Sequence, residues 1–212
     1  MIEAIVTAVT ATILGGLCLH WLTTGGMRRL REKAKKSPRG QREQKRVVFI
    51  SSGGTCRDPM AAAITRHLLD NRQIPGAESD VAIQVEGMAL GPISKPEVSY
   101  AARQAIKQLL GQDLLEGHLP KTIAPEDVET ADLILVMDNS LLNRKTLPSS
   151  KTYLLKEFFG QEGDVVDPWP DGRDEITLTR YFETAKELKA VIEGNFDALL
   201  KALGVSVVPA VS

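Results

Sequence analysis

The chain has 212 residues, 43% of them hydrophobic and 25% charged, which excludes a disordered or collagen-like polymer and fits one domain with an appendage. Two cysteines, Cys18 and Cys56, are too few for a disulfide framework or a cysteine-rich zinc site. The net charge of −1 conceals three segments of different character.

Residues 4–22 contain no Asp, Glu, Lys or Arg. Nineteen residues of helix rise about 28 Å, close to the ~30 Å hydrocarbon core of a bilayer. Trp21 stands near one end, as an interfacial aromatic would. Basic residues follow the run and Glu3 precedes it, the reverse of a cleaved signal peptide. Residues 1–26 are therefore expected to form an N-terminal transmembrane helix, single-pass, with everything from Met27 onward cytoplasmic. The alternative is an amphipathic or buried helix of a soluble protein, since five threonines and paired glycines weaken the hydropathy. Ala4, Ala8, Ala11 and Gly15 make a small-residue stripe that would serve a homodimer.

Residues 27–46 carry ten Lys/Arg against Glu32 and Glu43. The run has no interleaved aromatics, so a basic juxtamembrane linker that meets anionic lipid is the expectation, and nucleic acid is not an expected partner.

From residue 47 to 212 the balance turns acidic, with sixteen Lys/Arg against twenty-four Asp/Glu. VVFIS (47–51) reads as a buried strand that ends on a Ser-Gly-Gly turn. Asp58-Pro59 opens a helix, with Asp58 suited to the N-cap and Pro59 to the first turn. VAIQVEG (81–87) is a second strand, and a helix is predicted from Pro96 to Gly111. A short helical turn starts at Pro125, ahead of a third strand at 132–138 and a fourth at 152–155. Tyr181, Ala185, Leu188, Ile192, Phe196, Leu199 and Leu203 recur at helical spacing and mark a helix face packed on a core. Strands separated by helices predict an α/β domain over 47–212: a four-stranded parallel sheet with helices on both faces.

In such a sheet, ligands bind beyond the carboxyl ends of the strands. The loop Ser51, Ser52, Gly53, Gly54, Thr55, Cys56, Arg57 occupies that place and leads directly into a helix N-terminus. Glycines let the backbone curl, amides converge, and Arg57 offers a planar fork for phosphate oxygens. The residues alone describe an oxyanion cradle, with an ordinary glycine-rich turn as the alternative.

The stretch FISSGGTCRDPMA resembles the signature of the low-molecular-weight protein tyrosine phosphatases, Cys-x-Gly-Asn-x-Cys-Arg-Ser-Pro after a strand. Gly53, Cys56, Arg57, Pro59, Met60 and Ala61 match it in register. Asp167-Pro168-Trp169 resembles the family's general-acid loop, and the likeness runs in order over about 47–203. This resemblance implies a two-step phosphoryl transfer in which Arg57 and the backbone of 52–57 hold phosphate, Asp167 is the acid/base and Trp169 forms a pocket wall. No metal or organic cofactor is implied. The expected partner is a phosphorylated protein or a phosphate anion. Thr55 is similar to the branch of the family that acts on phosphoarginine.

Four positions depart from the family. Ser51 stands where the nucleophilic Cys belongs, and a hydroxyl needs an adjacent general base that the sequence does not obviously supply. Gly54 replaces a bracing Asn. Asp58 replaces a Ser that donates to the nucleophile, and a carboxylate there would oppose a bound dianion. Glu86 also falls where relatives carry Ser. Three explanations stay open for Ser51: an engineered trap, natural loss of catalysis, and slow serine chemistry. Several changes together favour a naturally degraded catalyst. The resulting expectation is a membrane-tethered phosphatase-like protein for phosphotyrosine or phosphoarginine, with dephosphorylation impaired by Ser51. The alternatives are a pseudophosphatase binding module and, more weakly, an arsenate-reductase-like activity that would need a cysteine at position 51.

Overall fold

A computed structural model describes residues 43–71, 81–93 and 95–205. The expected transmembrane helix at 1–26, and the linker up to residue 42, lie outside the described residues. Among the described residues no helix is long and apolar enough to cross a membrane.

Four parallel strands form one sheet in the order β2-β1-β3-β4, where β1 is Glu43–Ser51, β2 Val81–Ala89, β3 Leu133–Val136 and β4 Thr152–Leu154. Side chains alternate between the faces of a strand. Val47, Phe49, Leu133 and Leu135 therefore enter one core, and Val48, Ile50, Ile134 and Val136 enter the other. The larger core lies under α1 (Arg57–Asn71), α2 (Tyr100–Leu110), α6 (Glu175–Gly194) and α7 (Phe196–Ala202). The smaller core is closed by residues of and around α3 (Pro125–Thr130) and α4 (Asn139–Leu142). A single turn, α5 (Leu155–Phe158), follows β4 directly. Burial on both faces explains why β1 and β3 read as continuous apolar runs.

The predicted C-terminal stripe is buried along its whole length, although two helices carry it, with a break at Asn195. Gly111 ends α2 in the left-handed conformation that a C-terminal glycine permits.

β1 starts at Glu43, four residues before its apolar run, so residues 43–46 belong to the sheet and not to the basic linker. Polar partners hold this extension. The Arg46 amide donates to Asp132, and its guanidinium reaches Glu86 at 2.6 Å and Asp127 at 2.7 Å. The second helix starts at Tyr100, not Pro96, because residues before it stay extended and brace the loop after β1: the Ser99 amide donates to the Thr55 carbonyl at 2.9 Å. β3 spans Leu133–Val136, shorter than the predicted 132–138, although the amides of Asp132 and Met137 still donate to the β1 carbonyls of Arg46 and Ile50, and Asp138 stands at the N-cap of α4.

Candidate active site

Chain order β1, β2, β3 places β2 on one side of β1 and β3 on the other. The connections diverge at β1 and leave a crevice beyond its carboxyl end. Residues 51–57 form the loop in that crevice.

Backbone contacts set the loop's shape. The carbonyls of Ser51 and Ser52 accept from the amides of Leu90 and Gly91, at 2.9 and 3.1 Å. Those of Thr55 and Cys56 accept from Ser99 and Met60, at 2.9 and 3.1 Å. In a planar trans peptide the amide opposes the preceding carbonyl. Four outward carbonyls therefore turn the amides of Ser52, Gly53, Cys56 and Arg57 toward the other side of the loop. Gly54 makes the bend with φ of 69°, and a Cβ there would come within 2.9 Å of the Ala89 side chain. Gly87 on β2 is required by a close approach. A Cβ there would meet the backbone of Asp58 at 2.7 Å, so glycine lets the first turn of α1 lie against the sheet.

Arg57, the first residue of α1, is 3% exposed. Nη1 donates to the Asp138 carboxylate and to the Val165 carbonyl, each at 3.0 Å, and Nη2 donates to the Asp167 carboxylate at 2.9 Å. Its Nε is buried with no protein partner. Asp167 is half exposed and accepts from the Trp169 amide at 3.1 Å. Trp169 is 52% exposed, with the Lys95 ammonium 5.0 Å from its ring centre. A groove of about 360 Å³ runs up to Ser52, with Arg144 and Lys145 along its wall.

The fold thus gathers every residue singled out around the loop: Ser51, Ser52, Gly53, Gly54, Thr55, Cys56 and Arg57 in one turn, and Asp167 with Trp169 across from it. Asp138 went unnoticed in the sequence. Its one sequence signal is an acid at the end of a predicted strand, and only the structure shows that this strand pairs with β1.

Asp58 is placed differently from its sequence reading. It is not an N-cap, because α1 begins at Arg57 and Asp58 lies inside the first turn. Its side chain is fully buried and accepts from the Ser51 hydroxyl at 2.6 Å. Ser51 Oγ in turn accepts from the Gly54 amide at 3.3 Å. Burial drives the Asp58 carboxyl up to about 7, against the opposing pull of the Ser51 hydrogen bond and Arg57. Burial, with Asp167 and Asp58 nearby, also raises the Cys56 thiol to about 11, so Cys56 stays protonated. His67 contacts Asn71 within α1, and neither it nor His118 supplies a base to Ser51. Glu86 is held by Arg46, and Lys121 by Asp127 at 2.8 Å, so both belong to a structural network away from the loop.

The chain resembles known proteins over most of this domain. It is 30% identical to a protein-arginine-phosphatase of Geobacillus stearothermophilus over 129 residues, 58% of this chain and 78% of that one. It is 26% identical to the low molecular weight protein-tyrosine-phosphatase PtpB of Staphylococcus haemolyticus, over 63% of this chain and 88% of that one. A crystal structure of a low molecular weight protein tyrosine phosphatase from T. tengcongensis superposes with a TM-score of 0.57 at 31% identity, covering 75% of this chain and 99% of that one. A YwlE arginine phosphatase, a cysteine-to-serine mutant with a phosphorylated active-site serine, superposes with a TM-score of 0.56 at 25% identity, over 74% of this chain and 95% of that one. The family model described as low molecular weight phosphotyrosine protein phosphatase matches residues 46–207, and the chain belongs to that family.

Proposed function

We propose that the loop 51–57 binds phosphate carried on protein tyrosine or arginine, with Ser51 at the nucleophile position. The observation that carries this reading is Arg57: a buried guanidinium whose Nε has no partner, at the rim of a loop whose carbonyls are turned away. A buried donor left unpaired costs about 1–3 kcal/mol, and an oxyanion on Nε and the loop amides removes that cost. A phosphate dianion would also compete with Asp167 for Nη2. Asp167, released from Arg57 and protonated from solvent in the bound complex, then gives that proton to the leaving group and afterwards activates water.

Ser51 makes turnover slower than that of a thiol-based relative. A helix N-terminus and an arginine suffice to ionise a thiol near neutral pH, but not a hydroxyl. That an active-site serine can take up phosphate in this fold is supported by the phosphorylated-serine mutant of the arginine phosphatase. A second reading, a pseudophosphatase that captures a phosphorylated partner without turnover, is favoured by the two carboxylates already seated on Arg57. The charge-free run at 4–22 and the basic residues after it support tethering of the domain to a membrane.

Turnover of phosphotyrosine and phosphoarginine peptides by the full chain separates the two functional readings. Slow turnover that disappears in Arg57→Ala supports the enzyme. Stable capture of either peptide without phosphate release, again dependent on Arg57, supports the binding module. If neither peptide is bound or hydrolysed, the phosphate site is refuted.

A further inference from the structure

Asp58 takes no part in holding phosphate, yet it makes the closest side-chain contact to Ser51. Its Oδ1 lies 2.6 Å from Ser51 Oγ, both residues are buried, and its Oδ2 has no hydrogen-bond partner. The Gly54 amide donates to the same Oγ, so an oxygen that loses its proton to Asp58 keeps one donor. We propose that Asp58 is the general base and acid of a serine-based phosphoryl transfer at Ser51. This rests on the phosphate-site reading and supplies the base whose absence made Ser51 look inert.

In the first step the bond from Ser51 Oγ to phosphorus forms while the bond from phosphorus to the tyrosine oxygen or arginine nitrogen breaks. The Ser51 proton passes to Asp58 Oδ1, and the leaving group takes a proton from Asp167. In the second step water adds to phosphorus and gives its proton to Asp167. The phosphorus–Oγ bond then breaks, and Asp58 returns its proton to the departing Ser51 oxygen. Phosphate is released and both carboxyl groups recover their starting states.

The second step is where Asp58 matters most. A serine alkoxide is a far poorer leaving group than a thiolate, so it must be protonated as it departs. Donors and acceptors work best when their pKa lies near the working pH, and burial places Asp58 at about 7. The charged and titratable groups around it are few. Arg57 adjoins it on α1, and Cys56 precedes them on the loop. Asp138 and Asp167 reach the same corner through Arg57. Tyr181 from α6 neighbours Cys56, and β2 offers only the backbone at Gly87. A carboxylate here is also ill suited to a thiolate, which it would disfavour, so Ser51 and Asp58 make sense as a pair.

The test uses the full chain with para-nitrophenyl phosphate, read as turnover against pH and as phosphate retained on Ser51 by peptide mass spectrometry. Vanadate binding is measured in parallel. The parent turns over with a rate that rises as pH passes about 7. Asp58→Asn loses that rise and slows roughly 10²–10⁴-fold, with vanadate binding retained. Any phosphate on Ser51 in the variant is released more slowly than in the parent. In the Ser51→Cys background the sign reverses, and Asp58→Asn accelerates turnover, because an uncharged neighbour favours the thiolate. A merely structural Asp58 would slow both backgrounds alike, and that result overturns the proposal. Vanadate binding by a parent that neither turns over nor becomes phosphorylated overturns the base assignment and leaves the phosphate site standing. Absence of vanadate binding overturns both.

Discussion

Two arginines sit among carboxylates near opposite ends of β1, Arg46 within the strand and Arg57 beyond it at the start of α1, and they are finished differently. At the start of the strand, Arg46 is met by Glu86 and Asp127, and Asp127 is met in turn by Lys121 and by the Ala124 amide. At its carboxyl end, Arg57 keeps a buried Nε without a partner and Asp58 a buried Oδ2 in the same condition. Buried polar groups in folded proteins are nearly always paired, so a satisfied cluster is a staple and an unsatisfied one is a place for something else. Similar residue types thus serve stability at one end of β1 and chemistry at the other.

Replacing each arginine breaks the comparison most strongly. Arg57→Lys keeps the charge but loses the planar fork, and turnover of para-nitrophenyl phosphate should fall about 10²–10³-fold with a modest change in melting temperature. Arg46→Met should do the opposite. It removes a partly buried pair worth roughly 2 kcal/mol, between the exposed and fully buried limits, and lowers the melting temperature by about 4–8 °C. Turnover below the transition should stay within a few-fold of the parent. Loss of activity in Arg46→Met without loss of stability would erase the distinction.

The pH dependence of stability sharpens it. Asp58 has a folded-state value near 7, above its ordinary 3.8, so the unfolded chain ionises first. Stability on this account declines as pH rises from about 4 to 7 and levels off above. Asp127 is the reverse case. Burial pushes it up, but hydrogen bonds from Lys121, Arg46 and the Ala124 amide win and bring it to about 2. Its contribution is present above 3.8 and is lost as pH falls through about 2. Denaturant unfolding of Asp58→Asn should show a flatter stability profile between about pH 4 and 7 than the parent. An unchanged slope would mean that Asp58 is not held in its neutral form by burial.

The smallest effect belongs to Trp169. It is half exposed, so Trp169→Ala should raise KM for an aryl phosphate a few-fold, leave kcat nearly unchanged and leave stability within about 0.5 kcal/mol. A larger fall in kcat would show that the ring also positions Asp167, whose carboxylate accepts from the Trp169 amide.

Much of this was legible in the sequence. Doubly buried strands announce themselves as apolar runs, and a glycine-rich turn between such a strand and a helix marks the ligand site. What escaped depends on contacts between distant residues. The first four residues of β1 are polar and join the sheet through Asp132, Glu86 and Asp127, so hydropathy could not reveal them. Asp138 is visible only as the last residue of a strand until β3 is known to lie beside β1. Asp58 is the clearest case. As a letter before proline it reads as a helix cap, and beside a phosphate loop it reads as a hostile charge. Only the path of the loop, which folds Ser51 back under the first turn of α1, turns it into the partner of a hydroxyl.

The most direct test of the central claim is titration of the full chain with orthovanadate by isothermal calorimetry, with Arg57→Ala alongside. A phosphate site in the loop predicts saturable binding at one site, competition by inorganic phosphate, and loss of binding in the variant. No binding to the parent, or equal binding to Arg57→Ala, would contradict it.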